Sequence, residues 1–242
     1  LHWITDLAGA VPFGGRPWPG AEKLVLYFPV RVLGDFLDSF SFVNQLAVCS
    51  EVEVMESYLL ERWFSRFSSE FSPNEEATAV MRLVLMAQGF ESAIVKAFED
   101  LPPDDRALLA AEMSVTGCIT QFSSAPLRVR SDPSGPSLLV QYAPALIQKA
   151  QASHCGDALR ILAAVFRSAR SMFPFDERDL NKYVIVRIDA LKGLLPAGIH
   201  EKSWYLSRLG IGEACVSEGA PPSSDNIRKI SLPAFKRSTF VI

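Results

Sequence analysis

From Ala79 to Ala87 the chain is apolar at every position except Arg82. A helix that is apolar around its whole circumference has no face to give to water, so it must sit at the centre of a core with other elements wrapped round it. Ser72 as N-cap, Pro73 at the first helical position and Glu75 closing a capping box mark its start, and Gly89 marks its end. The spacing therefore predicts a buried helix over about 75–88.

Helical periods recur on both sides of it. Residues 44–67 place Val48, Val52, Met55, Leu59 and Trp63 on one stripe. A short helix over 91–100 stops at Leu101-Pro102-Pro103, and Asp104 and Asp105 open another over 104–122, with Leu108, Ala111, Val115, Cys118 and Phe122 in register. Pro144 opens a helix over 144–152. Leu159, Leu162, Phe166, Ala169 and Phe173 step by three and four along a helix over 157–173. A further stripe of Leu180, Val184, Ile188, Leu191 and Leu195 predicts a helix over 177–195, and His200–Leu209 a last short one. The Ser/Pro-rich run 123–137 reads as a linker.

Residues 1–43 differ. They hold eight aromatics (Trp3, Phe13, Trp18, Tyr27, Phe28, Phe36, Phe40, Phe42) and a stretch punctuated by glycine and proline from Gly9 to Gly20. Leu24–Val32 has strand composition, but Pro29 limits it to an edge, and Leu138–Tyr142 is its best internal partner. The expected fold is all-α: a two-lobed helical bundle with an irregular aromatic-rich N-terminal arm, holding at most one short strand, and an extended C-terminal tail. Its segments are the arm 1–43, an acidic helical lobe 44–122, the linker 123–137, a basic helical lobe 138–210 and the tail 211–242.

With 49% apolar and 21% charged residues, the chain has the composition of a protein with a core, not of a disordered segment. No apolar run reaches the ~18 residues that span a bilayer, so no transmembrane segment is expected. Residues 1–148 carry 10 Lys/Arg against 18 Asp/Glu, a balance of −8, and residues 149–242 carry 14 against 9, a balance of +5. Opposite charge in the two halves suits head-to-tail assembly or an anionic partner. Cys49, Cys118, Cys155 and Cys215 are isolated, and His2, His154 and His200 make no i,i+4 pair, so no metal or other cofactor is expected. A chain of this length has no need of disulfides, which favours a reducing compartment, cytoplasmic or nuclear. Leu1 in place of Met, with no signal-peptide pattern behind it, is expected of a trimmed or processed chain or of the ordered part of something longer.

Phosphate-binding glycine loops, the nucleophile elbow, H-E-x-x-H and the di-iron motif E-x-x-H are all missing from the sequence. No catalytic residue is assigned. Cys155, at a helix entry, is the best remaining nucleophile, with His200 as a base if the fold brings it near. Glu53 and Glu56 share a helix surface, and read as a solvated face. Arg160, Arg167 and Arg170, joined by Arg178 and Lys182 across a hairpin, would make one cationic face for phosphate or carboxylate groups. The tail alternates Ile227, Ile230, Phe235, Phe240 and Ile242 with the basic pairs Arg228-Lys229 and Lys236-Arg237, a pattern suited to docking on another subunit. The leading reading is a non-enzymatic assembly or scaffold protein, a homo-oligomer or part of a larger assembly, that contacts other subunits through arm and tail. The alternatives are a binder of RNA or of an anionic membrane surface, like a viral nucleoprotein or matrix protein, and a thiol enzyme built on Cys155.

Overall fold

The structure is a computed structural model that describes residues 30–66, 75–87, 90–114, 136–150, 152–174, 183–191, 194, 196–219 and 226–232. The chain divides into two compact units, Leu1–Tyr58 and Leu59–Ile242. Within the described residues it forms eight α-helices and a five-stranded mixed sheet, so the all-α helical bundle is corrected to a fold of helices and sheet.

The first unit contains α1 (Val30–Val43), a 3₁₀ turn at Asn44–Ala47 and the start of α2 (Glu51–Arg66). The helix expected from residue 44 begins at 51 instead. Ser50 and Glu53 form a reciprocal cap: the Ser50 backbone N–H and hydroxyl both donate to Glu53 Oε2, at 2.9 and 2.8 Å, and the Glu53 N–H donates back to Ser50 Oγ at 3.3 Å. Val48, expected on the buried stripe, is thereby left outside the helix and exposed. Phe42 meets Tyr58 edge to face, with ring centroids 5.1 Å apart. Val30–Val32 are helical, which corrects the end of the Leu24–Val32 strand; the remainder of that segment lies outside the described residues.

In the second unit α3 (Glu75–Ala87) is buried on nearly every side, from Ala77 and Ala79 through Met81, Leu83 and Val84 to Ala87. It packs against α4 (Glu91–Glu99), α5 (Pro103–Met113) and α6 (Ala143–Ala150). The Gln148 side chain ties α6 to α3 by donating to the Met86 carbonyl at 2.9 Å. The central element is α7 (Cys155–Met172). It touches α4, α5 and α6, and also touches the sheet, with twelve of its residues buried, among them Leu159, Ile161, Leu162, Val165 and Phe166.

The strands are β1 (Ser137–Gln141), β2 (Tyr183–Arg187), β3 (Trp204–Gly210), β4 (Glu213–Glu218) and β5 (Ile227–Lys229), in the order β1-β2-β4-β3-β5. β1, β2 and β4 run parallel, and β3 is antiparallel to both β4 and β5. Parallel neighbours need a crossover, and α6 with α7 supplies it between β1 and β2. Where helices were expected over 177–195 and 200–209, the described residues form β2 and β3 instead, residues 177–182 lying outside the described residues, and Leu138–Tyr142, expected beside the arm, pairs with β2. Every second residue is buried (Leu138, Val184, Val186, Ile188, Trp204, Leu206, Ala214 and Val216), which gives the sheet one core face. Between β2 and β3 the one-turn helix α8 (Pro196–His200) presents the Ile199 carbonyl to the Trp204 indole N–H at 2.7 Å. The β3–β4 turn uses Gly212 at φ +76°, where an added Cβ would stand 3.1 Å from the Tyr183 carbonyl oxygen.

Candidate functional site

The basic side of α7 is one of the binding surfaces expected from the sequence, and the structure gives two of its arginines carboxylate partners. Arg170 donates from Nε to Glu112 Oε1 at 2.6 Å and from Nη2 to Glu112 Oε2 at 2.8 Å, the two-pronged arrangement that guanidinium and carboxylate share. Its Nη1 reaches the Pro136 carbonyl at 2.6 Å. One side chain thus joins α7, α5 and the entry to β1. Only 13% of the Arg170 side chain and 3% of the Glu112 side chain are exposed. Arg167 donates from Nη2 to Asp105 Oδ1 at 2.5 Å, but 52% of its side chain is in water.

Asp105 and Glu112, seven residues apart, therefore lie on the buried side of α5 with Leu109 and Met113. The expected stripe through Leu108 and Ala111 is corrected, since Ala111 is exposed and Leu108 half-buried. An acid-to-acid spacing of two helical turns was the available signal for this pairing.

Arg160 sits one turn from the start of α7, half-buried, with its Nε enclosed and making no hydrogen bond. It lies within electrostatic reach of His200 on α8, as does Asp157. His154, just before α7, has its Nδ1 3.5 Å from Asp157 Oδ2. Burial pulls the His200 pKa below its ordinary value; Arg160 pushes the same way, and Asp157 opposes it. Arg178 and Lys182 lie outside the described residues. Of the five candidate cations, Arg160, Arg167 and Arg170 therefore share α7, with Arg167 and Arg170 directed to carboxylates of α5.

Cys155 opens α7 and is 2% exposed, and burial pushes its thiol pKa up while a backbone hydrogen bond pulls it down. A nucleophilic cysteine needs the opposite conditions, access and a lowered pKa. A second cysteine, Cys215, lies half-buried on β4 in register with Arg187 of β2. Arg187 pairs with Asp189 at 3.1 Å and reaches Glu213 at 3.7 Å. Burial raises the Cys215 thiol pKa and the two carboxylates add to the rise, against Arg187. Among the described residues no group of three or more His, Cys, Asp or Glu is arranged to hold a metal ion.

The tail begins on the chain's own body. β5 pairs with β3, Ile227 is half-buried in it, and Ile230 is buried, with its N–H donating to the Trp204 carbonyl at 2.9 Å. Phe235, Phe240 and Ile242 lie outside the described residues. The exposed apolar side chains gather elsewhere. Leu37, Phe40 and Val43 follow one another on α1, with Leu46 and Val48 just beyond it, and Leu209 and Ile211 mark the β3–β4 turn.

Comparison of the chain with protein-family models, with curated proteins and with solved structures finds no match. Among the described residues no helix is long and apolar enough to cross a membrane.

Two outcomes follow from this geometry. Replacing Glu112 by Ala leaves the Arg170 charge enclosed, so stability falls by about 3–5 kcal/mol, whereas Arg167→Ala at the wetter pair costs under about 1 kcal/mol. Urea unfolding of the two variants measures the contrast, and equal losses contradict it. The lowered His200 pKa means that the unfolded chain takes up this proton first as pH falls. Its contribution to stability is therefore complete above the unfolded value of about 6.5 and is lost as pH falls through the folded one. In His200→Gln, unfolding free energy measured between neutral and mildly acidic pH shows a shallower decline than in the parent protein.

Proposed function

We propose that the chain is a non-enzymatic assembly protein that makes contacts with further copies of itself through its N-terminal segment. The observation that carries this reading is the succession of exposed apolar side chains at Leu37, Phe40 and Val43 on α1, continued by Leu46 and Val48. Apolar surface left in water forgoes about 25 cal/mol for each Å² that a partner would cover. Contiguous patches of this kind mark interaction surfaces more often than solvated ones. Acidic residues accompany them: positions 30–58 hold Asp35, Asp38, Glu51, Glu53 and Glu56 against the single Arg31. The excess of positive charge in residues 149–242 is the complement that another copy offers.

The burial and raised pKa of Cys155 favour assembly over thiol catalysis. The carboxylates on Arg167 and Arg170 favour it over anion binding. A reducing compartment, cytoplasmic or nuclear, goes with this reading, since a chain of 242 residues has no need of disulfides.

Sedimentation at increasing protein concentration tests the reading. The expected result is a mass that rises above the 26.7 kDa of one chain, and that returns to one chain in Val43→Asp. A single 26.7 kDa species at every concentration overturns it.

A further inference from the structure

The sheet ends in two edges of different character. At one end β5 is three residues long and carries exposed Arg228 and Lys229, the shortness and charge by which an edge resists pairing with another chain. At the other end β1 is Ser-Leu-Leu-Val-Gln, in unbroken register with β2, and no charged residue occurs between Asp132 and Lys149. Among the described residues no strand pairs with its outer side. The Gln141 carbonyl accepts from the Ile188 N–H at 3.3 Å, so the backbone groups of Ser137, Leu139 and Gln141 turn to β2 and those of Leu138 and Val140 turn away. Two N–H and two C=O groups therefore point outward, placed evenly about Leu139. Both ends of the strand are fixed. The Pro136 carbonyl accepts from Arg170 Nη1 at 2.6 Å, and Tyr142, at φ +73°, turns the chain out of the strand and into α6.

On this basis, and resting on the assembly reading, we propose that the β1 edges of two copies pair antiparallel about a two-fold axis through Leu139, joining two five-stranded sheets into one. The placement of the outward groups selects a second copy as the occupant. About that axis Leu138 lies opposite Val140 of the second copy, and Val140 opposite its Leu138. Each pair exchanges both of its hydrogen bonds, so every outward group of the two edges is satisfied. Any other register of this kind sets Val140 against Pro136, which has no N–H, or Leu138 against Tyr142, which has left the strand. The axis stands perpendicular to the sheet, so the core faces of both sheets stay on one side, where Leu138 covers the half-buried Val140 of the second copy. On the opposite face Leu139 meets its own counterpart, with Ser137 facing Gln141 on either side. Hydrogen bonds exchanged for bonds to water do not by themselves offset the freedom lost on association. The edges therefore close between copies that α1 already holds together, where the effective concentration is high.

Disulfide trapping tests this arrangement. The antiparallel pair brings the two Leu139 Cα atoms to ~4.5 Å, within the ~4.4–6.8 Å that a disulfide spans. In Leu139→Cys, oxidised glutathione is expected to convert most of the assembled protein to a covalent two-chain species that dithiothreitol reverses. The parental protein, and Ser217→Cys at an exposed position of β4, give several-fold less under the same treatment. Should Leu139→Cys not fold, Leu139→Lys and Leu139→Glu replace it. Like charges facing each other across the axis weaken the assembly of each variant alone by about fivefold, and an equimolar mixture restores the parental strength. If the parental protein assembles but Leu139→Cys gives no more covalent dimer than Ser217→Cys, or the two charge variants assemble as the parent does, the edge contact is overturned while self-assembly stands. If the parental protein is a single chain at every concentration, the assembly reading fails and the edge contact falls with it.

Discussion

α7 is hemmed in on both sides, by α4, α5 and α6 and by the sheet, and the remainder of the second unit follows from that confinement. Eighteen residues long, it buries Leu159, Ile161, Leu162, Val165 and Phe166 together with the small residues Ala158, Ala163, Ala164 and Ala169. The alanines let neighbouring elements come close, and the large side chains fill the space between them. Fully burying a side chain such as Leu or Phe contributes roughly 1.5–3 kcal/mol, so this one helix supplies a large share of what holds helices and sheet together. Part of its cationic side is drawn into the packing as well. Arg170 enters the interface with α5 and finds there a carboxylate and a carbonyl that satisfy three of its donors.

That pair also reconciles the charge division of the sequence with the fold. Residues 1–148 are acidic and 149–242 basic, and part of that opposition is spent within the chain, between α5 and α7. The more enclosed pair specifies which faces meet, because an enclosed charge is tolerable only opposite its partner. The proposed self-assembly rests instead on the exposed apolar side chains of α1, Leu37, Phe40 and Val43.

Much of the helical part was legible from residues. The all-round apolar character of Ala79–Ala87 signalled burial, and α3 is buried; the stepping of Leu159, Leu162 and Phe166 signalled α7. The sheet was not read, for a physical reason. In 177–195, Val184, Ile188 and Leu191 fall at helical spacing, but Val184, Val186 and Ile188 are the residues that turn inward, at strand spacing. Val184 and Ile188, four residues apart, satisfy both periods, and β-branched Val-Ile-Val was the signal that favoured the strand. Parallel pairing joins residues about fifty places apart, such as Leu138 and Val184, and leaves no local mark. The start of α2 was readable in the Ser50–Glu53 capping spacing. Arg160, Arg167 and Arg170 share the helix expected from its stepping, while the partners Asp105 and Glu112 became visible only once α5 lay against α7.

Hydrogen exchange of the native protein tests the central role of α7 most directly. Amides buried on both sides of that helix, at Leu162–Phe166, are predicted to exchange only through global unfolding and to be the slowest in the chain. Exchange of these amides through a local opening, ahead of α4 and the β3–β4 pair, contradicts the account.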